Sequence, residues 1–232
     1  MKCGYWGVTT CLLFFAIQPL VYGYMPGKFY YQGKTKEKVI ALTFDDGPGA
    51  FTPKILDYLK QHHSRATFFM EGDQVGPYAA YAKQVAEAGH EIGNHTYSHY
   101  NFNLEKYAHR DLFIKELDST EAAIEKATGV HTKILRMPHG ATGKRTRPWL
   151  IPTLKEKGYA LVHWSFGTDW FLKMSAQQMA EAYIKNAQPG AVFLMHDGGR
   201  HREKTFEALQ IVIPALEAQG YRFVATEDLF KD

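Results

Sequence analysis

Two carboxylates stand side by side at Asp45 and Asp46, inside the run Thr43-Phe44-Asp45-Asp46-Gly47-Pro48, where the apolar stretch Val39-Ile40-Ala41-Leu42 gives way to Gly and Pro. An acidic pair at the end of a strand is, alone, an ordinary loop start. Its meaning depends on partners elsewhere, and the chain supplies them. His95 and His99 lie four residues apart in Asn94-His95-Thr96-Tyr97-Ser98-His99, and Arg136, Asp169 and His196 stand at or just past the ends of later apolar runs. Carboxylate oxygens and imidazole nitrogens together suit a divalent ion with open positions for water and substrate. A further carboxylate and a further imidazole are suitable proton carriers. The set reads as the centre of a metal-dependent hydrolase. The two imidazoles would share one face if residues 95–99 make a helical turn.

These side chains need elements to position them. Apolar, β-rich runs recur at Val39–Phe44, Ala66–Met70, Glu91–Asn94, Ile134–Met137, Ala160–Trp164, Ala191–Met195 and Tyr221–Val224, which predicts seven strands. Helical spacing separates them, as in Pro53-Ile55-Leu56-Leu59, Tyr81-Val85-Ala88, Leu112 through Ile124, and Phe206-Leu209-Ile213-Leu216. Gly89, Gly129, Gly158 and Gly220 mark helix ends. Such alternation predicts an α/β fold with a parallel sheet, either closed as a barrel or open and doubly wound. In a parallel barrel the chemistry sits at the C-terminal strand ends, and Asp45/Asp46, His95, Arg136, Asp169 and His196 occupy five separate ones.

Length and composition fit a single catalytic domain: 232 residues, 45% hydrophobic and 22% charged. The formal charge of +3 is too small to argue for nucleic acid. Lys2 followed by Cys11-Leu12-Leu13-Phe14-Phe15-Ala16-Ile17 is too short an apolar stretch to span a bilayer. With the small residues Val21 and Gly23 behind it, it reads as a signal peptide over residues 1–23, and the mature chain is expected to start near Tyr24. An uncleaved membrane anchor is the alternative. Both cysteines, Cys3 and Cys11, lie in this leader, so no disulfide is expected in the mature protein, and Val8-Thr9-Thr10 ahead of Cys11 is not a lipidation signal. Residues 24–37 then form an N-terminal extension and 38–232 the catalytic domain.

With these residues in place, the chain resembles the polysaccharide deacetylases, the carbohydrate esterase family with a NodB homology domain that contains chitin, chitooligosaccharide and peptidoglycan N-deacetylases. The likeness runs from about Lys38 to Lys231. Its motifs are Thr43-Phe44-Asp45-Asp46-Gly47-Pro48, continued by Thr52-Pro53-Lys54-Ile55-Leu56 and Ala66-Thr67-Phe68-Phe69; His95-Thr96-Tyr97-Ser98-His99; Arg136-Met137-Pro138-His139-Gly140; and Leu194-Met195-His196. The resemblance implies a distorted (β/α) barrel that hydrolyses an N-acetyl or O-acetyl group. It also implies that Asp46, His95 and His99 hold a divalent metal, zinc first, with cobalt or another first-row ion as alternatives. Asp45 is then the general base, Arg136 its cationic partner, His196 the proton donor to the leaving nitrogen and Asp169 the residue tuning that imidazole. Pro138, His139, Trp170 and Leu194 are the expected substrate contacts, with the His139 N–H toward the oxyanion and Trp170 and Leu194 walling the acetyl methyl. Two positions depart from the family pattern: His139 replaces an aromatic residue, and Phe166-Gly167-Thr168 lacks an acid that usually precedes Asp169-Trp170.

The leading expectation is therefore a secreted, periplasmic or envelope enzyme, monomeric and without a transmembrane span in its mature form. Its substrate would be a carbohydrate polymer or oligosaccharide containing N-acetylglucosamine, peptidoglycan or chitin-like. An acetyl xylan esterase or a small-amide hydrolase would use the same site, and a silent carbohydrate-binding protein would not need its proton carriers intact. His62, His63, His90, His109, His131, His163 and His201 match no motif and read as surface or core residues. Gly198-Gly199-Arg200 lacks the Lys and Ser/Thr of a nucleotide loop and reads as a flexible rim.

Overall fold

The computed structural model describes residues 23–140, 147–171 and 173–231. The leader therefore lies outside the described residues, as does most of the rim segment 140–146. Among the described residues no helix is long and apolar enough to cross a membrane.

One nine-stranded sheet organises the chain: β1 (Phe29–Tyr30), β2 (Val39–Gly47), β3 (Thr67–Met70), β4 (Glu91–Asn94), β5 (Ile134–Leu135), β6 (Ala160–Val162), β7 (Phe166–Gly167), β8 (Ala191–His196) and β9 (Arg222–Val224). Its ladders are parallel, in the order β1-β6-β5-β4-β3-β2-β8-β7. Strand β2 is the centre, buried along almost its whole length, which is why it reads as an unbroken apolar run rather than an alternating one. It pairs with β8 over Ile40–Asp45, with β9 at its start and with β3 at its end.

The seven expected strands are all present, and two short ones join them. Both are seam pieces. Beyond β6 the chain passes through residues 163–165 into β7, which pairs with β8 and so brings the sheet back upon itself. Ser165 stitches this seam, its N–H donating to the Val192 carbonyl at 2.9 Å and its Oγ accepting the Val192 N–H at 2.9 Å. At the other end of the seam, β1 pairs with β6 while Gln32 bridges to Ala191. The result is a distorted parallel barrel, and residues 24–37 contribute a strand to it. With two residues each, β1 and β7 carry too little periodicity to be legible in a sequence, whereas the equally short β5 lies within the longer run Ile134–Met137.

Helices α1 (Thr52–Gln61), α3 (Ala79–Glu87), α4 (Arg110–Thr128), α5 (Leu150–Lys157), α6 (Ala176–Lys185) and α7 (Glu203–Glu217) connect the strands, with single turns α2 (Gly72–Val75) and α8 (Thr226–Leu229). Gly129 and Gly158 end α4 and α5 at positive φ, turning the chain directly toward β5 and β6. Tyr30, Phe69, Val162, Val192 and Phe230 belong to one buried apolar cluster, and Leu42, Phe44, Ile55, Leu209 and Ile213 to a larger one joining β2 to the helices. At the N-terminal strand ends, the buried Glu91 carboxylate accepts from Thr67, Thr226 and Tyr24 hydroxyls at 2.6, 2.7 and 2.8 Å. That end is knitted shut, which leaves the opposite end for chemistry.

Candidate active site

Adjacent residues of a regular strand point to opposite faces, so Asp45 and Asp46 should not share a site. They do because β2 is irregular there. Its register against β3 shifts between Asp45 and Gly47, leaving Asp46 as the extra residue, at φ 66°. Asp tolerates this left-handed conformation better than most residues. The bulge turns both carboxylates to one imidazole: His95 Nε2 lies 3.7 Å from Asp45 Oδ2 and 3.4 Å from Asp46 Oδ1. Gly198 makes room for the bulge, since a Cβ there would lie 1.7 Å from the Asp46 carbonyl oxygen. That glycine is a packing requirement of the site.

His95 and His99 meet without the helical turn that their spacing suggested. Residues 95–100 form an irregular loop in which Thr96 and His99 have φ of 65° and 50°. A β-branched residue there is strained, and the loop is held by its surroundings. The buried Glu116 carboxylate of α4 accepts from the Tyr97 and Ser98 N–H groups at 3.0 and 2.6 Å and from Ser98 Oγ at 3.0 Å. The Thr96 and Tyr97 carbonyls accept from the Gly72 and Asp73 N–H groups at the start of α2. His99 Nε2 is thereby placed 3.2 Å from Asp46 Oδ1.

The donor set fits a metal ion. One atom from each of Asp46, His95 and His99 lies within 4.8 Å of the others. The His95 Nδ1–H donates to the Arg136 carbonyl at 2.7 Å, which leaves Nε2 with its lone pair free. Asp46 Oδ1, facing both imidazoles, is buried with no hydrogen-bond partner. Burial alone would raise the Asp46 carboxyl, but the two imidazoles, with His196, reverse this and hold it well below the usual carboxylate range. Burial likewise opposes the His95 imidazolium, which Asp45 and Asp46 favour enough to raise its pKa.

Arg136 is fully buried and its donors are occupied. Nη1 donates to Asp45 Oδ1 and to Thr43 Oγ1, both at 2.7 Å; Nε and Nη2 donate to the Val162 and His163 carbonyls at 3.2 and 2.9 Å. Its guanidinium lies over the Phe69 ring at 4.2 Å. Such a framed cation fixes the Asp45 carboxylate in one orientation.

On the opposite side, His196 ends β8. Its Nδ1 is 2.8 Å from Asp169 Oδ1, and its N–H donates to Asp169 Oδ2 at 2.8 Å, an oxygen that also accepts from Thr205 at 2.9 Å. Burial works against the imidazolium, yet Asp169, helped by Asp46 and Asp45, raises the His196 pKa to about 9. The neighbouring Asp197 takes no part in this pairing; it accepts from Thr52, and burial pushes it up to about 7. Trp170 stands at the rim, its ring centroid 6.1 Å from that of His196, while Leu194 is buried. A Cβ at Gly167 would meet both Trp170 and Leu194, so the two side chains close over that glycine as one apolar wall. Pro138 is buried, and the exposed His139, at φ 57°, lies 4.8 Å from His99 between ring centroids.

Every side chain singled out in the sequence thus borders this end of the barrel. Three contributors carried no motif. Glu116 holds the imidazole loop; Tyr183 accepts the Thr168 N–H and donates to the Leu194 carbonyl, tying the Asp169 segment to β8. Arg202 lies 3.6 Å from Asp46 Oδ2 and 3.9 Å from Asp169 Oδ2, between the two halves of the site. Only its position six residues after His196 hinted at it.

Known proteins share this arrangement of chain. The family model described as polysaccharide deacetylase matches residues 32–162. A peptidoglycan-N-acetylglucosamine deacetylase of Bacillus cereus is 39% identical over 202 residues, covering 84% of this chain and 89% of the relative. The peptidoglycan-N-acetylmuramic acid deacetylase PdaA of Bacillus subtilis is 36% identical over 205 residues, covering 86% and 74%. A crystallised peptidoglycan N-acetylglucosamine deacetylase superposes with a TM-score of 0.79 at 35% identity, covering 88% of this chain and 92% of its own. With the match spanning more than half the residues and the barrel shared, the chain belongs to the polysaccharide deacetylase family.

Proposed function

We propose that the protein hydrolyses the N-acetyl groups of N-acetylglucosamine units in peptidoglycan glycan strands. One observation carries this reading: a carboxylate held by a buried arginine and an imidazole held by a buried carboxylate stand in register on the neighbouring strands β2 and β8, at the same strand ends as the Asp46–His95–His99 group. Amide hydrolysis needs that pairing, a base to deprotonate water and an acid to protonate nitrogen. The names of the relatives favour peptidoglycan over chitin.

Asp46, His95 and His99 would hold a divalent first-row ion, zinc by the nature of its donors, which when bound acidifies water and polarises the acetyl carbonyl. Asp45, oriented by Arg136, takes the proton of the attacking water. The His139 N–H helps hold the oxygen that gains negative charge. His196, protonated and anchored by Asp169, gives its proton to the nitrogen as the C–N bond breaks, because an amine does not leave as an anion. The products are acetate and a free amine. Trp170 and Leu194 enclose the acetyl methyl.

Such a substrate lies outside the cytoplasm, in keeping with the leader character of residues 1–23, and N-terminal sequencing of exported protein should find a start near Tyr24. The central test is acetate and free-amine release by metal-loaded protein from peptidoglycan fragments, chitooligosaccharides and acetylated xylan, before and after chelation. Release from peptidoglycan that chelation abolishes and zinc restores is expected. Full turnover in metal-free protein, or release from xylan alone, would refute the reading.

A further inference from the structure

Aromatic rings run from the candidate active site over the barrel lip and down its outer wall. Trp170 sits 6.1 Å from His196, Trp164 lies 6.2 Å from Trp170, His163 lies 3.7 Å from Trp164, and Phe29 lies 5.7 Å from His163, all between ring centroids. Tyr31 extends the series, stacked on Phe29 at 5.9 Å with 27° between planes. The alternation of β1 explains the outer end. Tyr30 is buried with the apolar cluster that includes Val162 and Phe230, which sends its neighbours Phe29 and Tyr31 to the other face, where they are 41% and 52% exposed. The site and the wall are joined because Phe29 and Tyr30 pair with Leu161 and Val162, and the chain continues from there into His163 and Trp164.

Resting on the deacetylase reading, we propose that Phe29, Tyr31 and His163 form a stacking path for the sugar units of a glycan strand flanking the unit bound at His196. A pyranose ring presents C–H groups on one face and carries no charge there. An aromatic face is the electrostatic complement of such a C–H surface. The rings are strung out one after another, as the units of a polymer are. A second copy of the chain is a poorer occupant. Phe29 and Tyr31 expose on the order of 200 Å² between them, well short of the roughly 800 Å² a side of a stable protein interface. Continuity with the site completes the case, since each ring contacts the next back to His196.

The test compares wild type with Phe29→Thr/Tyr31→Thr, residues outside the catalytic machinery, and with the ring-preserving Phe29→Tyr. Turnover and calorimetric binding are measured on a long peptidoglycan glycan oligomer and on its disaccharide, with melting temperature as a check on folding. The double variant is expected to bind the long oligomer about ten-fold or more weakly and to raise its KM accordingly, with disaccharide turnover unchanged and Phe29→Tyr close to wild type. Unchanged long-chain affinity in a folded double variant overturns the path. So does a wild-type dimer in sedimentation that the double substitution dissolves. The long oligomer and disaccharide are both peptidoglycan glycan fragments: if wild type deacetylates neither yet binds the long chain through these rings, the path stands and the deacetylase reading falls; absence of any length-dependent binding removes the path alone.

Discussion

Replacing Asp169 by Asn separates the charge on the His196 partner from its shape. Asparagine can still accept from the His196 N–H and from Thr205, the two bonds now made by Oδ2, so the segment should keep its place. What disappears is the anion 2.8 Å from His196 Nδ1, and an amide NH₂ there favours the neutral ring. The working form is the imidazolium, whose pKa stands raised at about 9 against an ordinary 6.5; activity is therefore present below that value and lost above it. The difference amounts to a few kcal/mol, and the 13% exposure of the side chain leaves little of it to solvent screening. Asp46 and Asp45 supply part of the rise, and a cation held by Asp46 would cancel some of that, so the loaded enzyme should lose activity somewhat below pH 9. Removing the Asp169 charge should bring the alkaline limb of kcat/KM down by a further ~1–2 units, which well above both limbs is a loss on the order of 10- to 100-fold and at pH 8 a smaller one. The assay is the pH profile of acetate release for both proteins at matched metal content, with the His196 ring followed by NMR. An alkaline limb that stays where it was, in a metal-loaded Asp169→Asn protein, would refute the assignment of His196 as the acid.

Asp46→Asn should lose both metal and activity, whereas Asp45→Asn should retain metal, by elemental analysis, and slow turnover by on the order of 10²–10⁴-fold; the reverse pattern would exchange the two roles. His196→Ala should keep metal and impair amide substrates more than acetyl esters, whose alkoxide needs less help to leave. Glu116→Gln should weaken metal affinity on the order of ten-fold while Asp45 and His196 stay intact, because the loop carrying His99 loses its charged anchor, and metal titration measures this. Arg136→Met should cost about 3–5 kcal/mol in denaturant unfolding, since it leaves the Asp45 carboxylate buried and unpaired; the double variant Arg136→Met/Asp45→Leu should recover part of that loss while remaining inactive.

The types of the functional residues, and their lodging at strand ends, were legible in the linear chain. Alternating strands and helices leave few arrangements other than a parallel sheet, and a parallel sheet gathers the C-terminal ends of its strands at one side. From that rule alone Asp45, Asp46, His95, Arg136, Asp169 and His196 had to face a common rim. How they face one another was decided elsewhere. The bulge that turns Asp45 and Asp46 to one imidazole depends on the β2–β3 register, and the meeting of His95 with His99 depends on Glu116, nearly twenty residues away on α4. Arg202 reaches Asp46 only because α7 starts where β8 leaves the barrel, and Phe29 reaches His163 only because β1 fills a seam. Sequence spacing governs contacts within a turn or a pleat; these contacts join residues far apart in the chain, and their distances are set by packing and register that no local pattern encodes.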